Sequence, residues 1–548
     1  MIPVYPFSGK TSRFFIPLLL FITVCVLQVL PVLSTVHLFD WDEINFAESA
    51  REMLITGDFS IVRIGFLPFW EKPPLFIWMQ AGSMYLFGIN EFAARFPNFL
   101  ASVITLMALY LIGTTLRSSR FGFTWVLLYF GSLLPNIYFH SGIIDPWYNL
   151  FSFLCFYFFL EARGRSFYIA LAGFFLGLAV ITKGPAILLI FGLTLVITAY
   201  FGQSRIIPDF KNFFIFLICL LVSGGSWFIF LIISGKFSVV DEFIRYQWRL
   251  LTTADAGHSG GWYYHLIVLL IGCFPASVFA LKNLFSFKRH SIFGRWMMIA
   301  FWVNLIVFSV VKTKIAHYSS FCYFPLTFLA AEYVLQSNAC RESPPMLMRV
   351  LLKIILALLV LVLILIPFLF YIIEASWSEL FDLLLPELSG NLRQAAGWNL
   401  FDLLPGLLLA AFGEYGLICY FKGNRLRGVL SIGMGVMVTV FVTAFTILPK
   451  IEQYSQGKLI EYLKRMNQLN APVRTFYFKS YADLFYFGAS SANIGRNLSA
   501  KEFVSSEYKV VYAVTKSEKT NKLLDEFPCF KLDSISGGYS FFHCAKDL

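Results

Sequence analysis

Four acids, one lysine and two prolines in one loop are the residues of this chain best suited to chemistry. Residues 40–74 read DWDEINFAESAREMLITGDFSIVRIGFLPFWEKPP and lie between two segments apolar enough to be membrane helices. Asp40, Asp42 and Glu43 stand together at the start, and Glu71-Lys72 at the end is followed by Pro73-Pro74. Charge this dense beside a membrane span has to sit in water or line a cavity. A carboxylate there can orient or take a proton from an attacking group, and an ammonium can hold a departing anion. The plain alternative for the acids is helix capping, because anions favour the positive end of a helix dipole. Capping needs one acid, which leaves two. For Glu71-Lys72 the alternative is a local ion pair, worth little. Pro73 pushes Lys72 toward an extended conformation, and neither proline donates a hydrogen bond, so the pair stands on a stiff peg.

The elements that must position these groups follow from periodicity. Phe46, Ala47, Ala50, Met53 and Leu54 recur at helical spacing, opposite Asn45, Glu48, Ser49 and Glu52. That pattern predicts an amphipathic helix lying along the membrane surface. The apolar run Leu75–Phe87 is about thirteen residues, too short to span. It is expected to dip in or lie flat, offering an apolar surface beside Lys72 for a lipid chain.

The whole chain has 548 residues, 58% hydrophobic and only 14% charged, with mean hydropathy +0.71. Soluble domains carry roughly 25% charged residues, so this is an integral membrane protein. Apolar runs predict about thirteen spans, near 14–34, 91–116, 121–140, 147–162, 167–182, 186–201, 212–234, 263–284, 293–311, 318–336, 350–373, 401–421 and 428–448. No cleavage site follows the first, so it reads as an uncleaved span. The net charge of +11 reflects the positive-inside rule rather than nucleic acid: the basic residues cluster in alternate connections, all on one side if the N-terminus is cytoplasmic. The acid-rich loops, 35–90 and 235–262, then lie outside with His140–Trp147 and Lys312–Tyr318. Residues 1–448 form a membrane domain, and 374–400 within it reads as interfacial helix. Residues 449–548 read as a small extracytoplasmic α/β domain, with strands near Arg474–Phe478 and Lys509–Val514. Cys529 and Cys544 flank Gly537-Gly538 as opposed strands would, and could pair in an oxidising compartment.

Further groups fall on the acid-bearing side. Asp145 in GIIDPWYN is either a second functional acid or an N-cap. Lys183, Arg245, Arg249, Lys312 and Lys314 are candidate contacts for a donor phosphate. Each alone could be a snorkelling end-of-span residue.

DEINFAESAREM followed by FWEKPPLFIWMQAGSMYLFGINEFAARFPN resembles the polyprenyl-phosphate-dependent membrane glycosyltransferases of GT-C type. The likeness is closest to the lipid A aminoarabinose transferase branch, related to the protein O-mannosyltransferases. The resemblance is strongest over 36–120 and recurs around 140–185, 240–280 and 305–330. It implies Asp42 as catalytic base, Asp145 as a second acid, and Lys72 on the donor phosphate. It also implies Glu43, Glu48, His317 and Tyr318 in the substrate pocket, and Glu71 and His258 as ligands of zinc or another divalent cation, with water or substrate completing the shell. Where the family often has Arg, three residues after the catalytic Asp, this chain has Asn45. The implied reaction is inverting transfer of a sugar from a polyprenyl-phosphate donor to lipid A or a related lipopolysaccharide. It would take place at the outer face of a bacterial inner membrane, with no nucleotide involved. Protein or glycan O-glycosylation is the alternative. A secondary transporter fits less well, since transporters place charge near the midplane of repeated halves.

Overall fold

The computed structural model describes residues 12–201, 206–252, 260–287, 290–340, 343–376, 396–488 and 499–545. His258 and most of the 374–400 stretch lie outside these. Every apolar run expected to span folds as helix. Among the described residues, seven helices are long and apolar enough to cross a membrane unaided, or eight if the sharply bent pair Leu133–His140 and Asp145–Glu161 counts as one span. The expected count of about thirteen is not reached on length and apolarity alone, because several runs are short or broken. The run 263–284, for example, is two helices, Tyr264–Gly272 and Ala276–Leu284. The bundle buries a large aromatic core in which Trp125, Phe153, Phe156, Trp296 and Phe324 are wholly enclosed.

The loop after the first span (Ser12–Val29) folds into the helix Asp42–Thr56, a short hairpin of β1 (Arg63–Ile64) and β2 (Leu67–Pro68), and the helix Leu75–Phe87. Gly57, at φ +68°, closes the first helix in the left-handed conformation that glycine adopts freely. This helix is not the surface element its periodicity predicts. Residues Glu43 to Met53 are all buried, its polar face included. Glu48 is fully buried and takes a two-pronged ion pair from Arg51, at 2.7 Å for each bond. Glu52 accepts the backbone N–H groups of Gly65 and Phe66, at 2.5 and 2.8 Å. Within the polar stripe Glu52 thus meets the hairpin turn, while Glu48 and Ser49 are satisfied within their own helix.

Burial, and then the charge of Glu48, push Glu52 up to about 8, against the two backbone N–H groups that lower it. The folded protein therefore keeps a proton that the unfolded chain releases above the ordinary value of 4.5. The stability this group adds is complete at low pH and lost as pH rises through the folded value. Wild-type melting temperature should fall between about pH 5 and about pH 8, and Glu52→Gln, which cannot ionise, should flatten that decline. Identical pH profiles would refute the assignment.

The C-terminal region carries a four-stranded sheet in the order β3 (Val473–Thr475), β4 (Val510–Lys516), β6 (Tyr539–Ala545), β5 (Lys531–Ser536). β3 pairs with β4 in parallel and the other pairs are antiparallel. Cys529 and Cys544 form a disulfide that ties the chain before β5 to β6. This unit is not a free appendage. Leu459, Leu463, Tyr486 and Phe541 share one apolar cluster with Ile44, Ala47 and Met53 of the loop helix.

Candidate active site

The three neighbouring acids have three different fates, and none caps the helix, whose N-cap Trp41 makes no side-chain cap. The Asp40 carboxylate accepts Ser480 Oγ and, at 3.0 Å, the backbone N–H of Tyr481, docking the loop onto the C-terminal region. Glu43 is buried against Arg95, with bonds of 2.9 and 2.8 Å, and also accepts the N–H groups of Gly142 and Phe39. Burial works to raise Glu43, but the Arg95 guanidinium and the two backbone donors outweigh it and hold it below the usual carboxylate range. A Cβ at Gly142 would press on the Ala94 carbonyl at 3.3 Å and touch Glu43 Oε1 at an ordinary 3.5 Å. Asp42 alone turns its carboxylate into open space.

That space is a cavity of about 1300 Å³ shared by Asp42, Glu71, Lys72, Arg249, His317 and Tyr318. His317 Nδ1 stands 3.8 Å from Asp42 Oδ2. Burial lowers the His317 ring, against the opposing pull of Asp145, so the ring is neutral at neutral pH. Lys72 and Arg249 approach the Tyr246 ring, at 5.9 and 4.9 Å from its centre. No carboxylate pairs with Lys72 among the described residues. The inner end of the cavity is apolar, walled by Leu359 and Leu363 of helix Met346–Ser376, Leu409 of helix Leu404–Phe421, and Val436 and Val440 of helix Arg425–Thr446. The helix Leu75–Phe87, expected to supply this surface, does not line it.

Several expected site residues have other work. Asp145 is fully buried and pairs with Lys183 at 2.5 Å, with Ser320 Oγ at 3.0 Å. Lys183 also sits 5.3 Å from the ring centres of both Tyr148 and Tyr318. The pair therefore lies a layer behind the cavity, with Lys183 against the Tyr318 ring, and neither member lines the cavity. Lys314 Nζ donates to the carbonyls of Phe308, Ser309 and Val311, capping the helix Ile292–Val310 instead of binding phosphate. Lys312 is exposed and away from the cavity. Arg245 is largely exposed, pairs with Asp241 at 2.9 Å, and lines a second chamber of about 590 Å³. Glu48 is consumed by Arg51, and Glu43, although it borders the cavity, by Arg95. Glu71 lines both chambers, while its expected metal partner His258 lies outside the described residues. Among the described residues no three His, Cys, Asp or Glu side chains stand together as a metal site.

Sequence reasoning missed Trp41, Tyr246, Lys479 and Tyr481, which also line the cavity. Lys479 lies 5.0 Å from the Trp41 ring centre and 5.2 Å from that of Tyr481. No motif marks it, since only docking of the C-terminal region brings it to the cavity mouth.

The helical bundle, the loop that turns Asp42 and Lys72 into one cavity, and the docked α/β unit make up a multi-pass membrane protein. Residues 71–227 match the family model described as dolichyl-phosphate-mannose-protein mannosyltransferase. The chain is 28% identical over 332 residues to an undecaprenyl phosphate-alpha-4-amino-4-deoxy-L-arabinose arabinosyl transferase of Proteus mirabilis, covering 58% of this chain and 59% of that one. It is 31% identical over 287 residues to an uncharacterised protein of Aquifex aeolicus, covering 52% of this chain and 64% of that one. The matched region thus spans about three-fifths of the length of these curated relatives. ArnT from Cupriavidus metallidurans, solved bound to undecaprenyl phosphate, shares the fold across 98% of both chains, with TM-score 0.75 at 18% identity. The chain is thus similar over part of its length to the arabinosyl transferases and to the mannosyltransferase model, and it shares its fold with ArnT.

Proposed function

We propose that this protein moves a sugar from a polyprenyl-phosphate donor, with inversion, onto lipid A or a related lipopolysaccharide at the outer face of a bacterial inner membrane. The observation that carries the reading is one cavity in which Asp42 and Lys72 stand above an apolar wall. The wall suits a polyprenyl chain. Lys72, with Arg249 beside the same Tyr246 ring, suits the phosphate, and Tyr318 and His317 offer flat faces to a sugar. In this reading the Lys72 ammonium meets negative charge as it grows on the departing phosphate, which is where preorganised charge lowers a barrier. Asp42 sits on the opposite side of the reacting carbon and orients or deprotonates the acceptor. The curated relatives' names point to the same donor chemistry. Glu71 and His258 would hold a divalent cation, though none of these steps passes through it. A cytoplasmic N-terminus would put the cavity outside, where nucleotide sugars are absent.

The test supplies the purified protein with a polyprenyl-phosphate sugar in one assay and the matching nucleotide sugar in another. Transfer from the lipid-linked donor is expected; transfer from the nucleotide sugar without a lipid carrier would end this reading. Lys72→Ala should lower turnover on the order of a hundredfold, as for other transition-state donors. Protein or glycan O-glycosylation is the second reading, favoured by the match of residues 71–227 to the mannosyltransferase model.

A further inference from the structure

A separate cavity, of about 880 Å³, lies at the far end of the bundle from Asp42. Helices Glu91–Leu116 and Asp145–Glu161 both start near the outer site and end at this one, about 39 and 25 Å on at 1.5 Å per residue. Buried Phe159, Leu160, Ile169 and Phe293 form its inner wall. Ile207 and Ile292 line it and stand exposed on the outside of the bundle, beside exposed Phe210. An apolar rim of this kind at the end of membrane helices suits acyl chains and not a freely soluble ligand.

The polar lining divides into donors and acceptors. Arg117 uses only Nη2, on Glu332 at 2.5 Å and Ser291 Oγ at 3.2 Å, and Arg163 Nη2 stands 3.6 Å from Glu161. The remaining N–H groups of both guanidiniums have no partner among the described residues and suit a phosphate. The acceptors are Glu161, Asp209 and Asn212. The Glu161 side chain is 19% exposed, yet its carboxylate accepts no hydrogen bond among the described residues. Asp209 accepts one, from the Asn212 backbone N–H at 2.8 Å. Asn212 is 3% exposed; its amide nitrogen reaches the Gly164 carbonyl at 3.5 Å, while its Oδ1 is buried without a hydrogen bond. A buried acceptor left unmet costs stability, and three acceptors with no spare donor among them call for a ligand that donates. The charges also balance. Glu332 is answered by His290, whose two ring nitrogens face that carboxylate and the Asn283 carbonyl, at 2.9 and 2.8 Å, and so both carry protons. That leaves two arginines against two carboxylates among the described lining residues, which favours a zwitterion.

We propose that this cavity binds an aminophospholipid by its headgroup, in the leaflet opposite the Asp42 cavity. The phosphate meets Arg117 and Arg163, and the ammonium gives its three N–H groups to Glu161, Asp209 and Asn212 Oδ1. The acyl chains leave across Ile207, Phe210 and Ile292. Phosphatidylcholine has the same charges but no N–H to donate. Phosphatidylglycerol can donate but is a net anion, which leaves the two carboxylates unanswered. The site stands apart from the sugar-transfer cavity and does not rest on that reading.

The experiment takes delipidated full-length protein in detergent and reads lipid occupancy by native mass spectrometry. It is titrated separately with dioleoyl-phosphatidylethanolamine, dioleoyl-phosphatidylcholine, dioleoyl-phosphatidylglycerol and free phosphoethanolamine. Phosphatidylethanolamine should saturate one site about tenfold more tightly than either other lipid, the worth of a hydrogen bond to a charged group. Free phosphoethanolamine should bind far more weakly, because it buries no chain; binding as tight as the lipid's would overturn the lipid assignment. Asn212→Ala should remove most of the preference over phosphatidylcholine, and Asn212→Asp, which keeps an oxygen there, should retain it. A preference untouched in the alanine variant would place the lipid elsewhere and overturn the site. Equal affinity of the wild type for phosphatidylethanolamine and phosphatidylcholine, or tighter binding of phosphatidylglycerol, would also overturn it, and that comparison needs no variant to fold.

Discussion

Asp42→Asn is expected to leave the protein folded and inserted while sugar transfer falls about a thousandfold, within the range for loss of a positioned general base. The carboxamide nearly matches the carboxylate in shape, and the contact with His317 at 3.8 Å is too long to hold the helix in place. The groups that do hold the loop, Asp40 on Ser480 and Tyr481 and Glu43 on Arg95, are untouched. Neutral amide can neither accept the proton nor offset positive charge on the reacting sugar. Turnover at saturating donor, with thermal melting as the control for folding, decides it. Full activity in a normally folded variant would remove Asp42 from the mechanism. Asp40→Asn should behave in the opposite sense, weakening attachment of the C-terminal region before it touches the chemistry.

Arg95→Leu is expected to have the largest effect on stability. Arg95 is 2% exposed and joins four parts of the chain: the carbonyls of residues 33–37, Glu43 on the loop helix, its own span Glu91–Leu116, and, through Glu43, the N–H of Gly142 just before Asp145. Removing it strands a buried carboxylate and three carbonyls. Breaking a buried pair in this way costs about 3–5 kcal/mol. The expected result is a large drop in melting temperature and rapid proteolysis within residues 33–45. Adding Glu43→Leu should restore part of the loss, because no charge is then buried alone. The recovery should stay incomplete, since the carbonyls of Leu33, Val36 and His37 still lack donors. A double variant no better than the single one would show that the ion pair is not what organises this loop.

The contrast between Asp42 and Glu43 shows how much of the site could be read without coordinates. Residue type and spacing singled out the loop, and the family resemblance picked out Asp42, Lys72, His317 and Tyr318, which share one cavity. The same reasoning grouped Lys314 and Lys183 with the phosphate contacts. One caps a helix end and the other neutralises Asp145. A lysine near a span end looks alike in all three roles, and only the positions of carbonyls and carboxylates around it tell them apart. The polar stripe of helix Asp42–Thr56 misled for a related reason. Periodicity reports that one face is polar, but whether water or a hairpin satisfies that face depends on what packs there.

What the sequence determined by itself was the membrane architecture and the address of the chemistry. Backbone groups in hydrocarbon must be satisfied within a helix, so apolar runs become helices wherever they occur. Charge is excluded from lipid, so the dense acids and cations had to gather in the loops. The tertiary structure alone decided which charges meet. Glu43 finds Arg95 across 52 residues and Asp40 finds Tyr481 across 441, while Lys479 reaches the cavity only because the C-terminal region shares an apolar cluster with the loop. Pairing energies act over a few ångströms, and a linear sequence holds no record of distances that short between residues so far apart.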